Sequence, residues 1–362
     1  MHAAALPVLT DPRQPATPTL LDRLSDRVFL PLIADPRDVI FTRLLTRLLL
    51  QVVPMAVGLF FLPAWAVGLL AFPYLAFVFA RFGGPVMLGL HAVTHRPLFR
   101  KPLRPLDRVL THLLPPLWGM TPFAYRAHHV YMHHSEGNGH DDLSSTAAYE
   151  RDNPWHFAHY WARFTFFGYL HLSSWLWRRG RKDAVLRMVL GETVVYGLYG
   201  LLLWVNPAAA LVVLVLPYLM LRFFMMAGNW TEHAFVDASD PANDFRNSTC
   251  LLNTRYNHRC YNAGYHLIHH RLPGLHWADT PAHFERLLPH LVEQDSIVFD
   301  GVVNNQQIFW KLMAKDYDFL AEHLVDIGGR RPSKEEKIAF LKSRTRGTNG
   351  SFKGMVERRE AA

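Results

Sequence analysis

The sequence predicts an all-α integral membrane protein: two transmembrane helical hairpins, four spans in all, with interfacial helices and a cytosolic helical cap that holds a histidine-rich metal site. Three observations predict it. Half of the residues are hydrophobic (50%), and they are bunched into long runs instead of recurring with a short period. The runs come in pairs, each pair broken once by an uncharged turn that contains proline. Many of the 21 histidines gather in short groups that follow the runs.

Residues 1–43 read as an irregular cytosolic lead carrying Asp11, Asp22 and Asp26, with one short amphipathic helix near Leu20 to Leu32. The lead lacks the basic start and unbroken apolar run of a cleavable signal peptide. The membrane domain, residues 44–276, opens with an apolar run from Leu44 to Leu90 interrupted by Arg47 and Arg81. A span takes about 20 residues, so this run makes two helices, hinged near Pro63 and Ala64. Gly83, Gly84 and Pro85 predict that the second helix bends or restarts before it delivers His91 and His95, which share one face. The Pro-rich connector that follows holds Val109 to Met120, too short to span and placed at the interface or re-entrant.

Next comes YRAHHVYMHH, in which His129 and His133 have helical spacing, His134 is adjacent and His128 lies just before. Gly137, Asn138 and Gly139 end any helix there. Trp155 to Trp177 mix aromatics with His156, His159 and His171 and run into Arg178, Arg179, Arg181 and Lys182. That mixture marks a piece lying along the headgroups, and its ungrouped histidines read as interfacial or core residues. A second hairpin runs from Val185 to Val205 and from Ala208 to Met226, joined at Asn206 and Pro207. Glu192 falls inside it and is either a functional group or an ion-pair partner of Arg187 or Lys182.

The stretch from Asn229 to His276 carries the densest group: His233 one turn beyond Asn229, then His266, His269 and His270 at i, i+3, i+4 spacing. Residues 277–329 form the C-terminal helical part, with Thr280 as N-cap and Pro281 at the first helical position. Residues 330–362 are a basic, loosely ordered tail with one short helix near Glu335 to Leu341. Cys250 and Cys260 give no disulfide framework and read as packed core thiols in a reducing compartment.

The net charge of +8 comes without the basic stripe of a nucleic-acid module, so no nucleic acid is expected; an anionic lipid surface or an acidic protein partner fits better. Arg43, Arg47, Arg81, Arg96, Arg100, Lys101, Arg104 and Arg108 place the ends of the first hairpin in the cytosol. All the histidine groups then lie on one side of the membrane and can converge. They offer more than twice the imidazoles that a mononuclear site uses, so two metals are the economical solution. A histidine-rich transporter or sensor would carry these residues along a pathway within the spans, whereas here they follow the spans.

These groups, HAVTH, HHVYMHH and HLIHH, resemble the three histidine boxes of the integral-membrane fatty acid desaturase and hydroxylase family, over roughly His91 to Trp277. The resemblance implies a non-heme di-iron centre with ligands His91, His95, His129, His133, His134, His233, His266, His269 and His270. Asn229 is a weaker candidate, through water, and His128 and Glu192 are further candidates in the ligand set or beside it. It also implies dioxygen as co-substrate and a fatty acyl lipid, acyl-CoA or acyl-carrier-protein as substrate. Electrons must come from outside, from a ferredoxin or cytochrome b5-type donor, since the chain has no flavin, nicotinamide or fused heme motif. The implied reaction introduces a double bond; hydroxylation or ketolation of a lipid, carotenoid or alkane is the alternative at the same centre. The second box is longer than in acyl-CoA desaturases, and the first, with three intervening residues, resembles acyl-lipid desaturases and hydroxylases more.

Overall fold

The computed structural model describes residues 6–113, 121–139, 141–240 and 243–348, which are mostly helical. Four helices are long and apolar enough to cross a membrane: Pro36–Leu59, Ala64–His95, Lys182–Val205 and Pro207–Glu232. Large apolar side chains on them, among them Leu69, Phe72, Val194 and Trp204, are exposed, as suits lipid contact and not water. The chain divides into two compact units, each discontinuous in sequence: Gln14–Val130 with Tyr169–Phe223, and Met1–Arg13 with Tyr131–Gly168 and Phe224–Ala362.

In the unit of Gln14–Val130 and Tyr169–Phe223, helix Leu20–Phe29 begins at a capping box between Thr19 and Asp22. Asp26 takes two bonds from the Arg43 guanidinium, at 2.7 and 2.8 Å, and Asp22 pairs with Arg47. The two arginines expected to stand as cytosolic-end charges are therefore balanced by carboxylates of the lead. Asp35 caps a turn that has Pro36 at its first position, which lets the first span start earlier than Leu44. The hinges fall at Pro63 and Asn206 as the sequence predicts. Asn206 caps the helix that follows it, and its amide nitrogen donates to the carbonyls of Phe60 and Leu62, each at 3.2 Å, so the two hairpin turns are tied together.

The second span does not restart at Gly83 to Pro85. It runs unbroken to His95 through one wide π turn, Phe79–Gly83. A proline inside a helix has no N–H to give and crowds the preceding turn, and a wider turn makes room for it. The same device recurs in two other spans, where π turns Leu48–Val52 and Leu211–Val215 stand just before Pro54 and Pro217. Glu192 is buried on the third span, where it faces Thr121, Tyr196 and Arg222 and not the expected Arg187 or Lys182. One residue earlier, a Cβ on Gly191 would stand 2.6 Å from the Phe123 ring, so glycine is what admits helix Pro122–Arg126 against this span. The short connector helix is Pro105–Leu113, and the remainder of the predicted Val109 to Met120 piece lies outside the described residues.

The other unit departs from an all-helical expectation in one place. Thr249–Leu252 and Ile297–Asp300 form a two-stranded parallel sheet, Thr249 opposite Ile297. Both runs are short, apolar and buried, which favours a strand over a helix. Cys250, Leu252, Leu267, Ile268, Phe284, Leu291 and Val298 make one core there. Cys250 and Cys260 are free, buried thiols, as predicted. Helix Thr280–Glu293 is preceded by Asp279 at the N-cap position, where Thr280 was expected; the Thr280 hydroxyl turns back to the Trp277 carbonyl at 2.7 Å.

Order continues further at both ends than the sequence predicts. Asp11, expected in an irregular lead, is buried against Tyr265. Helix Lys334–Ser343 starts at a capping box of Ser333 and Glu336. Beyond it Arg344 accepts from the Val236 amide at 2.9 Å, and the Thr348 amide donates to Ala147 at 2.8 Å. The tail up to 348 is thus held by backbone bonds, which a reading of charge and polarity could not anticipate.

Candidate metal centre

In the unit that contains Tyr131–Gly168 and Phe224–Ala362, four histidines from three separate stretches come together. His133, His233, His266 and His270 each offer a ring nitrogen, and these nitrogens all lie within 4.8 Å of one another. His133 closes the π turn Ala127–His133. The chain then reverses through Gly137 and Asn138, both in left-handed conformation with φ of 54° and 61°. Asn138 locks the reversal by accepting from the Thr146 amide at 2.7 Å, which returns Asp142 to His133. His233 follows the end of the fourth span, its amide bonded to the Asn229 carbonyl at 3.1 Å. His266 and His270 lie one turn apart on helix His266–Arg271.

The bonds behind the rings determine which nitrogen faces inward. His133 Nδ1 donates to the Asp142 carboxylate at 2.7 Å, and Asp142 is itself held by the Ser144 amide and hydroxyl, both at 2.8 Å. His233 Nδ1 lies 2.9 Å from the Asn247 carbonyl, an oxygen that can only accept, so that nitrogen carries the proton. Glu232 stands 3.4 Å from His266 Nδ1, and Asp244 stands 4.0 Å from His270 Nδ1. Each ring thus has an oxygen on its Nδ1 side, which leaves its Nε2 lone pair for the centre of the group. Metal-ligating histidines are oriented in this way.

Two further features favour a cation among these rings. His270 Nε2 is buried with no hydrogen-bond partner among the described residues, and an orphaned buried nitrogen is costly unless something completes it. His266 Nε2 stands 3.0 Å from His233 Nε2, an approach of two lone-pair atoms that needs a proton or a metal ion. Burial first, then the neighbouring rings, pushes His270 well below the usual imidazole range, and burial and His133 push His233 down to about 3. Burial also disfavours the charged form of His133, but Asp142 outweighs it and raises the group. Burial thus keeps His233 and His270 as neutral nitrogen donors, and the four rings share a buried, acid-backed pocket that fits a metal ion.

The same unit pairs His134 Nε2 with His269 Nε2 at 3.0 Å. In the unit of Gln14–Val130 and Tyr169–Phe223, His129 Nε2 meets His95 Nε2 at 2.9 Å, and the His91 ring packs on His129 at 4.5 Å between centroids. Tyr125 stacks on His129 from behind, with the planes 13° apart. Every box histidine named from the sequence is therefore in contact with another one. His128 is not among the histidines that cluster, and the Asn229 side-chain nitrogen donates to the Ser144 carbonyl at 3.0 Å and to the Tyr160 hydroxyl at 2.8 Å. Glu192 also lies outside the clusters. His156 and His159, read as non-ligands, serve local bonds to the Glu150 amide and the Tyr149 hydroxyl.

Sequence reasoning missed Asp142, Glu232, Asp244 and the Asn247 carbonyl. Their signal was available in part, since a carboxylate behind each ligating histidine is a general expectation, but sequence spacing alone does not single out these partners. Glu232 is in turn reached by the Asn305 amide at 3.4 Å from a distant helix.

A helical chain with four membrane-length helices and a buried, acid-backed group of four histidines has the features of a membrane protein that could hold a metal ion. The model of the fatty acid desaturase family matches residues 63–300, more than half of the chain. The chain belongs to the fatty acid desaturase family, whose members use a di-iron centre. No match is found among curated proteins or among solved structures.

Proposed function

We propose that this protein is a membrane-bound, dioxygen-dependent di-iron oxidoreductase that introduces a double bond into a fatty acyl chain. The observation that carries the reading is the buried set of His133, His233, His266 and His270, each backed by an oxygen at Nδ1, in a chain of this family. That set would hold one iron, and the three-box pattern implies the remaining box histidines, His91, His95, His129, His134 and His269, as ligands for a second.

When bound, the irons supply the redox chemistry that activates dioxygen with electrons from an external donor. Overall, two hydrogens leave adjacent carbons of the acyl chain, the donor gives two electrons, solvent gives two protons, and dioxygen leaves as two waters. The protein's own residues orient and protect. Asp142 and the Asn247 carbonyl fix the tautomers of His133 and His233, Glu232 and Asp244 place negative charge beside His266 and His270, and the core of Cys250, Leu267 and Ile268 excludes water behind the third box. The basic residues Arg81, Arg96, Arg100, Lys101, Arg104 and Arg108 support a cytosolic site with both termini on that side. A ferredoxin or cytochrome b5-type donor would meet the protein there.

Mass spectrometry of acyl chains, in cells making either the natural protein or its His266→Ala variant, tests the reaction. A new double bond, present only with the natural protein, is the expected result. A new hydroxyl would make the enzyme a hydroxylase, and identical acyl profiles in the two cultures would contradict the proposal.

A further inference from the structure

We infer that Asp11 is a positioning residue for the third histidine box, so that the N-terminal segment, outside the matched stretch of residues 63–300, is a working part of the metal centre. Asp11 is buried, 4% exposed, although it lies in a polar lead more than 240 residues before the box. Its carboxylate accepts from the Tyr265 hydroxyl at 2.6 Å, from the Asn253 amide at 2.9 Å and from the Asn257 side chain at 3.0 Å.

Each donor belongs to the stretch, residues 253–265 with the short helix Arg255–Arg259 inside it, that leads into helix His266–Arg271. Tyr265 is the residue at its N-cap, and its carbonyl takes the His269 amide at 3.0 Å, yet no side chain caps this helix. Asn257 passes the hold on, accepting from the Gly264 amide at 2.8 Å, and a Cβ on Gly264 would collide with that side chain at 2.4 Å. Asn253, Tyr261 and Asn262 are all in left-handed conformation, at φ of 54°, 57° and 57°. Residues without glycine's freedom hold such a backbone only when their surroundings over-determine it. The surroundings include Asp11, the Asp300 carboxylate, which takes the Asn253 side chain at 2.9 Å, and the Pro12 and Trp277 carbonyls, which take the Asn262 side-chain nitrogen at 2.7 and 2.8 Å. A helix start that slips by one residue would turn His266, His269 and His270 away together, by about 100°. Asp11 prevents the slip.

The inference rests on the proposed metal centre, and the experiment separates the two. Cobalt(II) is titrated into the full-length metal-free protein in nanodiscs, followed by its visible absorption, for the natural chain, Asp11→Asn and Tyr265→Phe. Thermal unfolding of the metal-free forms is measured alongside. Asp11→Asn is expected to weaken cobalt binding about tenfold or more, the range for residues that orient metal ligands. Tyr265→Phe, which removes one of the three bonds and no packing, is expected to weaken it severalfold and decides the matter if Asp11→Asn does not fold. A Tyr265→Phe variant that binds cobalt as tightly as the natural chain, with only its unfolding midpoint lowered, overturns the role of Asp11. Failure of the natural chain itself to bind cobalt overturns the metal centre instead.

Discussion

At the scale of single residues, the donors were legible and their supports were not. Histidine announces itself by type and spacing, so His91, His95, His129, His133, His134, His233, His266, His269 and His270 could be named from the chain alone, and each is found against another. Asp142 could not, because its position behind His133 depends on a reversal at Gly137 and Asn138 that only the folded backbone displays. Asp142→Asn keeps the shape but removes the charge, and it leaves one acceptor oxygen for the two positions that face His133 Nδ1 and the Ser144 amide. Metal affinity is expected to fall about 10- to 100-fold, by titration of the purified protein, with helicity unchanged. An unchanged affinity would mean that His133 needs no such support. Gly137→Ala places a Cβ in a left-handed backbone at φ 54° and is expected to cost about 1 kcal/mol, read as a lowered unfolding midpoint.

At the scale of elements, the four spans and both hinges were legible, since length, apolarity and a proline turn specify them without reference to the rest of the fold. The π turn Phe79–Gly83 was not: Gly83, Gly84 and Pro85 read as a bend or restart of the helix, and a wide turn resolves the same steric conflict with the helix continuous. The strands Thr249–Leu252 and Ile297–Asp300 were illegible for a different reason, because a four-residue apolar run becomes a strand only once its distant partner is beside it. The π turn yields a test. Deleting Ala80 removes one residue from it and would turn His91 and His95 by about 100° relative to the start of the span. The variant is expected to insert in membranes at the natural level and to lose acyl-chain turnover. Retained turnover would show that the register of this helix does not matter.

At the scale of the molecule, one buried guanidinium ties distant stretches of the unit that holds the four-histidine set. Arg151 donates to the carbonyls of Thr146, Ala147 and Tyr149 in the loop after the second box, to Ala234 just after His233, and to Arg344 and Arg346 near the end of the described chain. Lysine has too few donors in too narrow a fan to replace it. Arg151→Lys is expected to cost about 3 kcal/mol or more, seen as a large drop in the unfolding midpoint. The desaturase family and the membrane-spanning architecture follow from the chain and its match; the acyl carrier, bond position and donor do not follow from any residue pattern. The central claim is a di-iron, dioxygen-using centre, and it is tested most directly by metal analysis of the purified protein together with oxygen uptake. The account predicts about two irons per chain and oxygen consumption that requires both a reductant and a lipid. Stoichiometric zinc, with no oxygen uptake under reduction, would contradict it.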